Sequence, residues 1–328
     1  MGRCAEENTG IPGIRRAPFP RSIWRMIYHH GPGAGFIRRG KRGPNVRYVF
    51  SPISRRNHRP QKSAAVALLA LCLMLSTTHA EVSELVLGVA PLLGEAETRT
   101  QYQPLCDYLA SAARLPCRIS TRPNFLLYWE MMRRGKEYNL ILDDAHFTDY
   151  RAQKMGYVVM AKIPNTVTYS LIVPRAAKLD DPARLVGRRI ATLGIPSMGA
   201  AQLNGLFTQP SKQPIPVEVD STADGFALLR EDKVAAAILP TPLVREEIVR
   251  GAPFRVLLST APLPHMGFSA APDISPELRK VLRQALLNAH KTDAGRAMLA
   301  LIGLERFDPA NATVYDGQGR ILKEYWGY

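Results

Sequence analysis

Cysteine, long apolar runs and catalytic signatures are all scarce in these 328 residues. There are four cysteines, at 4, 72, 106 and 117. That number excludes a disulfide-dense scaffold. No Cys-x-x-Cys spacing or His cluster accompanies them, so no metal centre or resident cofactor is expected. The longest apolar run is Ala64–Leu75. It is too short for a spanning helix, which needs about 20 apolar residues. There is no Gly-x-Ser-x-Gly elbow, no HExxH, no Walker loop and no Gly-x-Gly-x-x-Gly. These absences favour a binding protein over an enzyme. Acids are nearly missing from the N-terminal part. Residues 1–62 hold 14 Lys/Arg and two acids, whereas residues 81–328 hold 29 Lys/Arg and 26 acids. Of the formal charge of +15, the leader carries +12 and the body +3. A generally basic, nucleic-acid-binding surface is excluded for the body. With 46% apolar residues the chain can bury a large core.

Residues 1–62 read as a basic leader outside the fold, with a mis-assigned translation start or a membrane- or nucleic-acid-binding arm as the two explanations. Residues 63–80 read as a signal peptide. A basic flank (Arg55, Arg56, Arg59, Lys62) precedes the apolar run, and Thr78 and Ala80 supply small residues for cleavage after Ala80. Leu71 before Cys72 argues against lipidation at that cysteine. The expected product is a soluble periplasmic protein, a monomer, beginning at Glu81. In an oxidising compartment Cys106, on a helix, and Cys117, opening the next strand, are either a disulfide or two buried thiols.

The body alternates strands and helices. Strands are expected at 85–89, 117–120 and 138–142, with helices at 104–113 and 125–134 between them. This βαβαβ order implies a parallel sheet flanked by helices. A second α/β set follows, with strands at 169–173, 189–193, 215–219, 234–239 and 254–258. Amphipathic helices at about 276–291 and 293–302 close the chain and fold back onto the first unit. The expected organisation is a lobe of residues 81–168 plus 262–328 and a lobe of residues 169–261. The crossings fall at 161–171 and 258–271.

Open α/β sheets bind ligands beyond the carboxyl ends of their strands. In the second unit the segment Leu193-Gly-Ile-Pro-Ser-Met-Gly-Ala200 ends a strand and starts a helix. Ser197 is either an N-cap or an anion ligand. The amides of Met198, Gly199 and Ala200 are anion donors at the helix start. In the first unit Tyr128 offers a phenol, and Asp144 and His146 offer partners for a protonated oxygen or an amine. Tyr169, Ser170, Thr222 and Asp224 are further cleft candidates.

These segments resemble the substrate-binding proteins of phosphate/phosphite/phosphonate ABC transporters, in the type 2 periplasmic-binding-protein superfamily. Leu85–Pro91, Leu140–Tyr150 (LILDDAHFTDY), Tyr169–Val173, Leu185–Gly199 (LVGRRIATLGIPSMG) and Ser275–Gly295 carry the resemblance. It implies two lobes, each a mixed, mostly parallel sheet flanked by helices, with the ligand cleft between them. It also implies capture of a small anion, a phosphate/phosphite/phosphonate-type oxyanion, by lobe closure, and delivery to an ABC transporter permease. An exported sensor module, or an enzyme on the same fold, is the alternative. Residue by residue, the family's oxyanion contacts fall on Ser197, Met198 and Gly199, then on Tyr169, Ser170 and Tyr128. The chain departs from the family pattern at Met198 and Ala200, which lack hydroxyls, at Ala223, where a His is common, and near Ala235, where an acid is common.

Overall fold

The computed structural model describes residues 82–135 and 137–327. The leader and signal-peptide segments lie outside the described residues. The first strand, β1 (Leu85–Val89), is buried along its whole length. Continuous apolar runs of this kind belong to strands covered on both faces. β1 pairs in parallel with β2 (Cys117–Ser120) and β3 (Leu140–Asp143). Helix α1 (Glu95–Ala113) connects β1 to β2, and α2 (Phe125–Arg134) connects β2 to β3. The sheet continues antiparallel through β12 (Gly267–Ala270) and β4 (Val158–Lys162) to β13 (Asp308–Pro309). Its order is β13-β4-β12-β3-β1-β2.

Sequence reasoning started α1 at Pro104, where proline suits a first turn. The helix begins nine residues earlier, and Pro104 lies within it. Glu95 and Glu97 favour the earlier start by meeting the positive end of the helix dipole. Burial of Thr98, Leu105 and Leu109 on one face offsets the single backbone hydrogen bond that Pro104 forgoes. Asn124 caps α2 by accepting from the Leu127 amide at 3.0 Å. Gly135, at φ 63°, ends it. A disulfide joins Cys106 on α1 to Cys117 on β2.

The second sheet has the order β10-β6-β9-β7-β8. Its strands are β6 (Tyr169–Pro174), β7 (Arg189–Leu193), β8 (Ile215–Val219), β9 (Ala236–Pro240) and β10 (Phe254–Ser259). Helices α4 (Met198–Leu206), α5 (Thr222–Arg230) and α6 (Thr241–Val249) accompany them. The chain passes between sheets twice. The outgoing passage carries β5 (Thr166–Val167) and the returning one β11 (Leu263–Pro264), and these pair as a short antiparallel ribbon. Helices α7 (Pro276–Asn288) and α8 (Asp293–Leu301) then pack on α1 of the first sheet. The final helix, α9 (Arg320–Trp326), follows the two helices that were expected to close the chain. It packs on both α3 (Ala145–Lys154) of the first lobe and α4 of the second.

The corner from β3 into α3 is held by a buried ion pair. Arg151 and Asp143 are both fully buried. The Arg151 guanidinium donates to both carboxylate oxygens of Asp143 (Nη2 to Oδ1, 2.6 Å) and to Ser269 Oγ at 3.2 Å. Tyr128 donates its phenol proton to Asp143 Oδ2 at 2.9 Å, and Thr148 donates to Oδ1 at 3.2 Å. A buried charge is tolerated when it is paired and hydrogen-bonded in this way. Arg151→Leu should therefore destabilise the protein by about 3–5 kcal/mol in urea unfolding, because it strands the Asp143 carboxylate.

Candidate functional site

A cavity of about 460 Å³ lies between the two sheets. That size falls in the range of small-molecule sites, about 300–1,000 Å³. Among its lining residues are Tyr102 of α1, Asp144, Tyr169 of β6, Thr222 and Phe226 of α5, and His265 of the returning passage. Each comes from a different chain segment except the α5 pair.

Asp144 is the N-cap residue of α3, but its side chain makes no cap hydrogen bond. It is 5% exposed, and its Oδ2 has no partner. Burial, and then the neighbouring Asp143 carboxylate, pushes its pKa up to about 7. Tyr102 is pushed up to about 12 by burial and then by Asp144. Tyr169 is raised for the same two reasons in the same order. Both phenols line the same cavity as Asp144 and stay protonated as donors. His265 is lowered to about 4 by burial and then by Lys162, and is neutral. Its Nδ1 accepts from the Met266 amide at 2.8 Å.

Of the residues singled out from sequence, Asp144, Tyr169 and Thr222 line this cavity. The others take structural positions outside its lining. Ser197 is buried, donates to the Leu193 carbonyl at 2.8 Å and accepts from the Ala200 amide at 3.1 Å. Its hydroxyl acts as the α4 cap. Met198 and Ala200 are buried behind it, and Gly199 packs close to Thr192 and Ile238. Tyr128 is committed to Asp143. Ser170 shares a hydroxyl cluster with Thr241 at 2.8 Å and Ser259 at 3.2 Å. Asp224 accepts from Ser221 Oγ at 2.6 Å and offers it its amide at 3.1 Å, a reciprocal cap on α5.

His146 bridges the lobes. Its Nε2 lies 2.9 Å from the Pro196 carbonyl, so the nitrogen carries the proton and donates. Burial lowers its pKa to about 3, against an opposing contribution from the Pro196 hydrogen bond. A second bridge runs from the Thr222 amide to the Leu92 carbonyl at 3.0 Å. The residues around the anion loop and His146 thus meet, but as a contact between lobes.

Tyr102, Phe226 and His265 were missed in the sequence. Tyr102 lies on the part of α1 before Pro104, which proline had masked. Phe226 carries an ordinary core signature. His265 is brought in only by the return of the chain from the second sheet to the first.

A family model described as "ABC transporter, phosphonate, periplasmic substrate-binding protein" matches residues 87–315. The chain belongs to this family. No curated protein matches the chain. Among solved structures, this substrate-binding protein is similar to PhnD1 of Prochlorococcus marinus in complex with methylphosphonate. The identity is 14%, covering 75% of this chain and 99% of that one, with a TM-score of 0.66. A Xanthomonas citri protein bound to ATP shares 18% identity, over 74% and 100% of the two chains, at a TM-score of 0.60. A binding protein component of an ABC phosphonate transporter from Pseudomonas aeruginosa shares 12%, over 74% and 84%, at 0.61. These likenesses establish the two-lobed fold of mixed sheets flanked by helices. Among the described residues no helix is long and apolar enough to cross a membrane, and no His/Cys/Asp/Glu cluster has metal-site geometry.

Two measurements check this geometry. Ser197→Ala should cost about 1 kcal/mol of stability, as loss of a cap does, read by chemical denaturation. Asp144→Asn should stabilise the ligand-free protein in a pH-dependent way. A carboxyl whose folded pKa is raised is most at ease when protonated. The wild-type penalty is absent below the unfolded value near 4, grows as pH rises, and is complete above about 7. The gain in melting temperature of the Asn variant should follow that window.

Proposed function

We propose that this protein captures a phosphonate-type solute in the cavity between its lobes and delivers it to an ABC permease. The observation that carries this reading is the convergence of oxyanion donors from both lobes on one cavity. Tyr102 and Tyr169 supply phenol protons that stay in place at neutral pH. The first turn of α5 supplies the Thr222 hydroxyl and the adjoining backbone at the positive end of a helix dipole. Nothing in this set is a nucleophile activated by a base, so binding without catalysis is the consistent chemistry. The ribbon of β5 and β11 sits where the chain crosses between the sheets. We assign it the hinge role, with residues 81–168 plus 262–328 moving against 169–261. The His146–Pro196 and Thr222–Leu92 bonds then hold the closed form, which is the form a permease recognises. The ligand's oxyanion is placed on the α5 turn and the phenols, and the Ser197 loop contributes through closure. The exported protein is a monomer that begins at Glu81 after removal of the leader.

Thermal denaturation of the purified protein tests the reading. A phosphonate at about 100 times its Kd should stabilise it by about 2.7 kcal/mol. A panel of methylphosphonate, longer alkyl- and aminoalkylphosphonates, phosphite and phosphate that leaves the melting temperature unmoved defeats it. Tyr169→Phe should lose roughly three- to tenfold in affinity for the active compound, the worth of one hydrogen bond. Intact-mass measurement of the periplasmic protein should give a chain starting at Glu81, and any other start refutes cleavage after Ala80.

A further inference from the structure

We propose that the solute carries a protonated amine, and that Asp144 is its counter-ion. The inference rests on the reading of the cavity as the solute site. Its ground is the charge of the cavity wall. Four carboxylates (Glu97, Asp144, Glu246, Glu247) face it against two guanidiniums (Arg230, Arg250). Both guanidiniums are engaged, Arg230 with Glu247 and Arg250 with Glu246. A solute bearing only negative charge would meet a wall of the same sign. Asp144 stands apart from the other three acids. It is nearly fully buried, lines the cavity, and offers an oxygen with no partner among the described residues. A buried carboxylate without a partner is costly, and an ammonium group is the complement that offsets the cost.

The neighbours of Asp144 leave that role open. Asp143, its neighbour in sequence, is committed to Arg151, so the guanidinium does not serve both. Tyr102 and Tyr169 are neutral, their phenols held protonated by burial and then by Asp144. His265 across the cavity is neutral, and His146 beside Asp144 in sequence is neutral and engaged with Pro196. Among the described residues, no cationic side chain of the wall is free to neutralise Asp144. The phenol protons and the α5 turn take the anionic end of the solute, and Asp144 takes the cationic end. The solute is a small zwitterion with a primary amine.

Calorimetry with matched pairs tests this. Each pair is an amine and its amine-free counterpart: aminoethylphosphonate with ethylphosphonate, taurine with ethanesulfonate, and β-alanine with propionate. The amine member of the active pair should bind roughly ten- to a hundredfold more tightly, the worth of a hydrogen bond between charged groups. Asp144→Asn, which keeps the size of the side chain, should remove that preference, and because it removes a charge of the same sign it should leave the amine-free member's affinity unchanged or raised. The pH dependence has a definite sign. The amine binds the ionised carboxylate, so its affinity should rise from about pH 5.5 to about 8 as Asp144 ionises. An oxyanion seated on a protonated Asp144 would weaken over the same range.

Equal affinity within the active pair overturns the inference, as does a preference that survives in the Asn variant. Affinity that falls with rising pH overturns it too. The outcomes separate from those of the solute reading. If ethylphosphonate binds as well as its amine, the amine inference fails while phosphonate capture stands. If taurine or β-alanine binds through Asp144 and no phosphonate does, the phosphonate reading fails while the amine inference stands. If no amine in the panel binds, the inference is lost.

Discussion

The geometry of this protein depends on the buried pair of Arg151 and Asp143. It sits where the last parallel strand of the first sheet turns into α3. Both charges are removed from water, and the cost is met by two guanidinium–carboxylate bonds and by donors from Tyr128 and Thr148. Arg151 also reaches Ser269 on the neighbouring β12. The pair therefore ties α2, α3, β3 and β12 to one point. The next residue along the chain is Asp144, whose direction into the cavity follows from that fixed corner. Two adjacent aspartates thus have opposite fates. One is satisfied inside the lobe, and the other faces the space between lobes with an oxygen left over.

Contact between the lobes is made by backbone as much as by side chains. The Leu92 and Pro196 carbonyls accept from Thr222 and His146, respectively. Helix α9 adds an apolar clasp. Leu322 joins a core cluster with residues from both lobes, while Ile321 packs against residues of the second. Asp149 of α3 anchors the start of this helix by accepting from the Gly319 amide at 2.7 Å. A ligand that favours closure has to supply only the difference between these contacts and the hydration they replace.

How much of this was legible in the sequence differs between fold and site. The strands at 85–89, 189–193 and 215–219 were readable because short apolar or β-branched runs bounded by Gly and Pro have few other uses. The second α/β set was readable for the same reason. The full α1 was not, because Pro104 carries a strong local signal for a helix start that tertiary burial overrides. α9 was hidden by its polar, Gly-bounded surroundings. At the site, Asp144 and Thr222 were legible because each lies just past a strand's carboxyl end or at the start of a helix, where α/β sheets place ligands, and Tyr169 because it opens the strand that enters the second sheet. Ser197, Ser170, Tyr128 and Asp224 have the same local credentials, yet each spends its polar atoms inside its own lobe.

The sequence by itself determined the partition of charge between leader and body, the two-sheet α/β class, and the family. These are properties of composition, periodicity and motif order, which survive without knowledge of which residues touch. Only the tertiary structure decided which polar groups are left over. Hydrogen-bond satisfaction is a property of pairs distant in the chain, and no local pattern reveals that Asp143 finds Arg151 while Asp144 Oδ2 finds no partner among the described residues. That difference turns a run of two aspartates into one buried ion pair and one carboxyl with an unpartnered oxygen in the cavity wall.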